Sequence, residues 1–174
     1  MNKVQTKIAG VEDLDELMEL RKEFIETEFG TSKNRDLKTF YQNTENYLVE
    51  SLEKKEQSTC IAYVDGQLAG CAMLCYMHVL PTLDHPTGSR AHLMNVYVRK
   101  KFRRLHIGTR MLDALMEEGR KHGVTEISLD ATEDGRKLYE HYGYYHNTEA
   151  MAIKLEYQEF FMFITKEVIA YEKI

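Results

Sequence analysis

Read for the alternation of apolar and polar positions, the 174-residue chain falls into short strand-like runs and longer helix-like ones. Val4, Thr6 and Ile8 alternate and predict a first, edge strand. The period then lengthens: Val11, Leu14, Leu17, Met18, Phe24 and Ile25 recur at helical spacing, with Glu12, Asp13 and Asp15 in the first turn and Gly30 as the stop. A second helix is expected over about Leu37 to Glu53, with Phe40, Tyr41, Tyr47, Leu48 and Leu52 available for burial. Ser58 to Val64 and Gln67 to Leu80 flank Asp65-Gly66, a strong hairpin signal. The second of these strands is long enough to predict a bend or bulge near Cys75 to His78. Residues 81–89 (PTLDHPTGS) hold both prolines of the chain and read as a loop.

The chain is organised around residues 91–108, AHLMNVYVRKKFRRLHIG. Leu93, Met94, Val96, Tyr97 and Val98 predict a buried strand. A basic patch follows at Arg99, Lys100, Lys101, Arg103 and Arg104, and a helix opens at Ile107-Gly108-Thr109 and runs to His122 before Gly123. A strand passing through a basic turn into a helix N-terminus is a ready anion site, because the first N–H groups lack acceptors and the helix dipole is positive there. A phosphate-bearing ligand is expected at this turn. Beyond it, residues 124–130 (VTEISLD) predict a strand, Glu133 or Gly135 to Tyr142 a helix ended by Gly143, and 144–146 with 151–155 a final hairpin.

The turn has neither the GxxxxGK[ST] nor the GxGxxG spacing of the nucleotide loops. Arg103-Arg104-Leu105-His106-Ile107-Gly108 instead resembles the acyl-CoA signature [RQ]-x-x-G-x-[GA] of the GNAT acetyltransferase superfamily, with His106 where the first glycine usually stands. Leu138-Tyr139-Glu140-His141-Tyr142-Gly143-Tyr144 is similar to the family's LYE-x-x-G-[FY] element, and residues 131–139 resemble a subgroup with Ala-Thr-x-x-Gly-Arg-x-Leu-Tyr. The resemblance implies an α/β (α+β) GNAT fold: a mixed, mostly antiparallel sheet of about six to seven strands flanked by about four helices. It also implies acetyl-CoA as co-substrate, without a metal, and acetyl transfer to a primary amine.

Site residues follow from the same resemblance. The main chain of Val96, Tyr97 and Val98 would pair with the pantetheine arm as an added strand. The N–H groups of Leu105, His106, Ile107, Gly108 and Thr109, with Arg103 and Arg104, would face the pyrophosphate. Thr132 takes the place of an asparagine that bonds the CoA arm, and Arg136 completes the subgroup motif. Tyr139 stands where the family has its general acid, and the helical pair lines the acceptor side, bringing in Arg21, Glu28 and Tyr41. A lysine-like amine, with a pKa of about 10.4, is neutral in on the order of one molecule in a thousand at pH 7, so a base or water relay is expected. His92 is the best-placed titratable group. Asn95 cannot be a base but can orient substrate, and odd spacing puts it on the opposite strand face from His92. Asp84 and His85 lie on a loop so placed that it could cover the acceptor pocket.

Composition narrows the alternatives. The 43% hydrophobic and 29% charged residues suit one globular domain, residues 1–174, and the net charge of −5 argues against a nucleic-acid binder. It favours a cationic acceptor, polyamine or aminoglycoside included, by steering. No apolar run reaches the ~18 residues of a membrane span, and MNKVQTKIAG lacks a signal-peptide core, so a cytoplasmic protein is expected. Cys60, Cys71 and Cys75 lack zinc-site spacing and read as buried reduced thiols. The C-terminal extension, residues 156–174, carries Phe160, Phe161, Phe163, Ile164 and Val168, an apolar face to be covered by its own domain or by a second copy in a homodimer. A non-catalytic acyl-CoA-binding or sensing domain is the alternative function.

Overall fold

A computed structural model describes residues 3–30 and 36–146. The chain divides into two compact units, Met1–Tyr144 and Tyr145–Ile174. The described fold is that of the first. The expected strand at 151–155 and the C-terminal extension lie outside the described residues.

The elements run β1 (Val4–Ile8), α1 (Leu14–Phe29), α2 (Leu37–Glu53), β2 (Gln57–Val64), β3 (Gln67–His78), β4 (Ser89–Val98), α3 (Ile107–Lys121), β5 (Glu126–Leu129) and α4 (Glu133–Tyr142). Among the described residues, five strands form one sheet in the order β1-β2-β3-β4-β5. This is fewer than the six to seven expected, and Tyr144 to His146 form no strand. The first three pairings are antiparallel and β4–β5 is parallel, so the sheet is mixed. The β2–β3 hairpin turns on Asp65 and Gly66 at φ +48° and +78°, two adjacent positive angles that match the twist of the flanking strands.

Each face of the sheet buries its own core. On one side Leu74, Ala91 and Leu93 pack with Phe102, Ile107, Met111, Leu112 and Leu115 beneath α3. On the other, Ile61, Cys71, Met73 and Tyr97 pack with Leu17, Met18, Leu20 and Leu48 from α1 and α2. Cys60 and Cys71 are buried thiols, and desolvation pushes both up to about 12. Tyr47 remains 46% exposed, so α2 buries less of its predicted apolar stripe than its spacing allows.

The sheet's irregularities sit elsewhere than expected. The β2–β3 register shifts between Ala62 and Tyr63, and the β3–β4 register between Cys71 and Met73. Residues 75–78 pair regularly with β4. Between Met73↔Met94 and Cys71↔Tyr97, two steps on β3 oppose three on β4. The extra residue lies at Asn95, at φ +53°, and makes a bulge in the middle of the central strand.

That bulge overturns the expected placement of His92 and Asn95 on opposite faces. His92 opposes Cys75, on the α1–α2 face, and Asn95 bonds Arg21 of α1, so the two share a face. The inserted residue shifts the strict alternation on which the expectation rests.

Candidate active site

The bulge also parts β4 from its parallel neighbour. Pairing with β5 runs from Arg90↔Glu126 to Leu93↔Leu129 and ends there. Beyond it Tyr97 and Val98 stay paired with β3 on one side, while Val96 to Val98 line a cavity of about 490 Å³. The mouth of that cavity is built by the turn after β4. Lys100–Phe102 form one 3-10 turn, and Arg104 and His106 then take left-handed angles of φ +65° and +56°. His106 is the N-cap of α3. Its helical ladder opens with Arg110 N–H donating to the His106 carbonyl at 3.2 Å. The N–H groups of Ile107, Gly108 and Thr109 therefore point out of the helix end without an intrahelical acceptor.

The lining gathers Val96, Tyr97, Val98, Arg103, Arg104, His106, Ile107, Gly108, Thr109, Thr132 and Tyr139, with Glu28 and Asn95 on the α1 side. Of the residues named from sequence, Leu105, Arg136 and His92 lie outside it, and so do Arg21 and Tyr41. Leu105 packs against the α3 core, Arg136 is exposed on α4, and His92 neighbours the lining residue Asp130. Residues the sequence did not single out complete the lining, among them Phe24, Phe102, Asp130, Gly135 and Leu138. Asp130 was readable only as the end of a strand. Its place depends on where β5 stops against the bulged β4.

Gly108 explains how α3 and α4 meet here. A Cβ on Gly108 would stand 2.9 Å from Leu138 Cδ2, so the missing side chain lets α4 close on the helix N-terminus. Thr132 is the N-cap of α4, its hydroxyl accepting from Gly135 N–H at 3.3 Å. That leaves the hydroxyl proton free to donate toward the cavity.

Tyr139 is half-buried and packs edge-on to Tyr144 at 5.8 Å between centroids. Burial raises its pKa above the ordinary phenol value, so it carries its proton throughout the neutral range. His92 Nδ1 lies 2.9 Å from the Ser128 hydroxyl, and its Nε2 lies 3.7 Å from Asp130. Through Asp130 it borders the cavity without lining it.

The basic patch divides into two parts. Arg99 is turned away: it pairs with Glu19 and Glu23 of α1, the latter at 2.6 Å, and donates to the Leu68 carbonyl at 2.8 Å. The two carboxylates raise its pKa. Lys101 donates to Gln67 at 3.0 Å and lies over the Phe102 ring. Arg103 and Arg104 remain at the mouth, with Arg103 Nε donating to the Val98 carbonyl at 3.2 Å.

The loop before β4 does not reach this cavity. His85 sits 3.2 Å from Thr125 Oγ1 and 3.7 Å from Glu126, at the start of β5, whereas the cavity lies at its end. Neither Asp84 nor His85 is in the lining. A second, more open hollow of about 520 Å³ runs along α3 past Asp113 and Tyr142, and none of the sequence-derived site residues lines it.

Residues 14–144 match the family described as the Acetyltransferase (GNAT) family. The chain belongs to the GNAT acetyltransferases. Membership implies acetyl transfer from acetyl-CoA, and the mixed α/β architecture is the GNAT fold. A predicted acetyltransferase from Clostridium acetobutylicum, solved with acetyl-CoA, is 25% identical, with a TM-score of 0.79 over 88% of this chain and 97% of that one. A GCN5-related N-acetyltransferase from Ralstonia eutropha is 21% identical, with a TM-score of 0.74 over 88% and 99%. The aminoglycoside N-acetyltransferase AAC(6')-Iy, bound to a bisubstrate analogue, shares the fold at 15% identity, with a TM-score of 0.69 over 88% and 99%. No curated protein matches the chain.

Three features come together at this cavity. There are outward N–H groups at a helix end, two arginines at the mouth and an unpaired strand edge beside them. Among the described residues no cluster of His, Cys, Asp or Glu is arranged to hold a metal ion. Among the same residues, no helix is long and apolar enough to cross a membrane.

Proposed function

We propose that this chain is an acetyl-CoA-dependent N-acetyltransferase that acts on a primary amine by direct attack on the thioester, with Tyr139 as general acid. One observation carries the reading: the strand edge freed by the Asn95 bulge, the open N-terminus of α3 and the Tyr139 phenol all meet in one cavity.

Acetyl-CoA supplies, when bound, an activated acetyl carbon whose bond to sulfur breaks as the bond to the amine nitrogen forms. The free edge of Val96 to Val98 would align the donor arm as an added strand. The N–H groups of His106 to Thr109, with Arg103 and Arg104, would neutralise the pyrophosphate. Thr132 would donate its hydroxyl proton to the arm. Arg136 and Leu105 lie outside the lining, and their part is at most to shape the mouth.

Tyr139 would give its phenolic proton to the departing sulfur, whose conjugate thiol has a pKa of about 8.5. His92, with Asp130 beside it, is the base that would receive the amine's proton through water, since it does not itself reach the cavity. Glu28 and Asn95 would face the acceptor. Incubation with acetyl-CoA and a panel of amines, followed by detection of free thiol, tests the reading. Amine-dependent thiol release is expected, and its absence with bound acetyl-CoA would instead favour a binding or sensing domain.

A further inference from the structure

Arg21 is a part-buried cation on α1. It projects from α1 toward the bulge, where its Nη1 donates to Asn95 Oδ1 at 2.9 Å. The rings of Phe24 and Phe40 lie against its guanidinium carbon, each centroid 5.5 Å away. Those rings cover the group but satisfy none of its N–H donors, of which a guanidinium has five. Among the described residues no carboxylate pairs with it. Three acids of its own helix are engaged elsewhere: Glu16 accepts from Tyr63, and Glu19 and Glu23 pair with Arg99. Burial lowers the Arg21 pKa by more than Cys71 and Tyr41 beside it raise it.

Its position gives this charge a use. Phe24 and Asn95, two of the residues that contact Arg21, both line the active-site cavity, which sets the group at the α1 edge of that cavity. Glu28 lines the same cavity seven residues further along α1, on the same helix face and about 10 Å away by helical rise. The α1 wall thus carries a cation and an anion two turns apart.

We propose that the acceptor amine carries a carboxylate, and that Arg21 receives it through the N–H groups left free beside Asn95. The inference rests on the transferase reading of the cavity and narrows it. The acceptor is oriented at both ends, its amine toward Glu28 and the thioester, its carboxylate toward Arg21, whose planar fork suits two carboxylate oxygens. Amino acids and their derivatives with a free carboxylate are the substrate class. Purely cationic polyamines are not.

Product analogues test this without interference from amine basicity. N-acetyl derivatives of glycine, leucine, phenylalanine and lysine, each beside its carboxamide, are titrated calorimetrically into the full-length protein, with and without CoA. At least one acid is expected to bind tenfold or more tightly than its amide. Arg21→Gln is expected to abolish that preference, and Arg21→Lys to keep part of it, with melting temperatures recorded for both. Equal affinity of acid and amide, no binding of either across the panel, or equal weakening of both in Arg21→Gln overturns the proposal. Failure of the transferase reading appears separately, as absence of CoA binding in its own titration.

Discussion

The ring of Tyr139 lies over Gly135, so closely that a Cβ on the glycine would stand 3.0 Å from Tyr139 Cε2 and 3.2 Å from Thr132 Oγ1. The Thr-x-x-Gly spacing thus caps α4 and clears room for the phenol four residues on, one helical turn away. Gly135→Ala is expected to displace the ring rather than unfold the helix, because alanine is the better helix former. Turnover should fall about tenfold, roughly 1.4 kcal/mol in the barrier, with acetyl-CoA affinity unchanged. An unaltered kcat in steady-state assays would show that the ring's seat does not matter.

Tyr139→Phe removes the proton donor while keeping the ring. A loss of about 100-fold or more in kcat is expected, with the acetyl-CoA Kd within twofold of the parent. The pH profile carries a second check. Burial raises the Tyr139 pKa, so its protonated, competent form persists through pH 9.5 and its own alkaline limb lies above the ordinary phenol value of about 10. Any fall in parent kcat between pH 7 and 9.5 should therefore survive in the Phe variant.

His106 occupies a left-handed angle at the N-cap of α3, a conformation that costs a residue with a Cβ about 1–2 kcal/mol. His106→Gly relieves that strain at the expense of a freer unfolded chain. A gain of about 0.5–1 kcal/mol in urea denaturation is expected, with donor affinity retained because the backbone N–H is kept. A loss of stability would mean that the imidazole makes a compensating contact.

The arginines of the basic turn should separate into two behaviours. Arg99→Gln breaks the tie to Glu19 and Glu23 and should cost about 1–2 kcal/mol of stability, discounted because Glu19 is exposed and Glu23 only half-buried. It should leave acetyl-CoA affinity alone. Arg104→Gln should do the reverse, with little change in melting temperature and a Kd several-fold weaker. Calorimetry and thermal melts on the two variants decide the matter.

The legible parts of this chain are those determined by local chemistry. Asp65-Gly66 specifies a two-residue turn, Gly30 and Gly143 end helices at positive φ, and the stretch from Leu93 to Gly108 announces strand, turn and helix in its order of residue types. The illegible parts depend on partners distant in sequence. The bulge at Asn95 is specified by β3 pairing some twenty residues upstream, and it reverses the strand parity that would have separated Asn95 from His92. Arg99 reads as one more phosphate cation until α1, more than seventy residues earlier, brings Glu19 and Glu23 to it. The proline loop reads as a cover for the pocket until His85 is seen against Thr125 and Glu126.

Calorimetric titration of the full-length protein with acetyl-CoA tests the central claim most directly, because every assigned role presupposes that the cavity below Arg104 and His106 holds the donor. Saturable one-to-one binding with a Kd in the micromolar range is predicted, weakened by added salt as the arginines are screened. Absence of binding at millimolar acetyl-CoA would contradict the account.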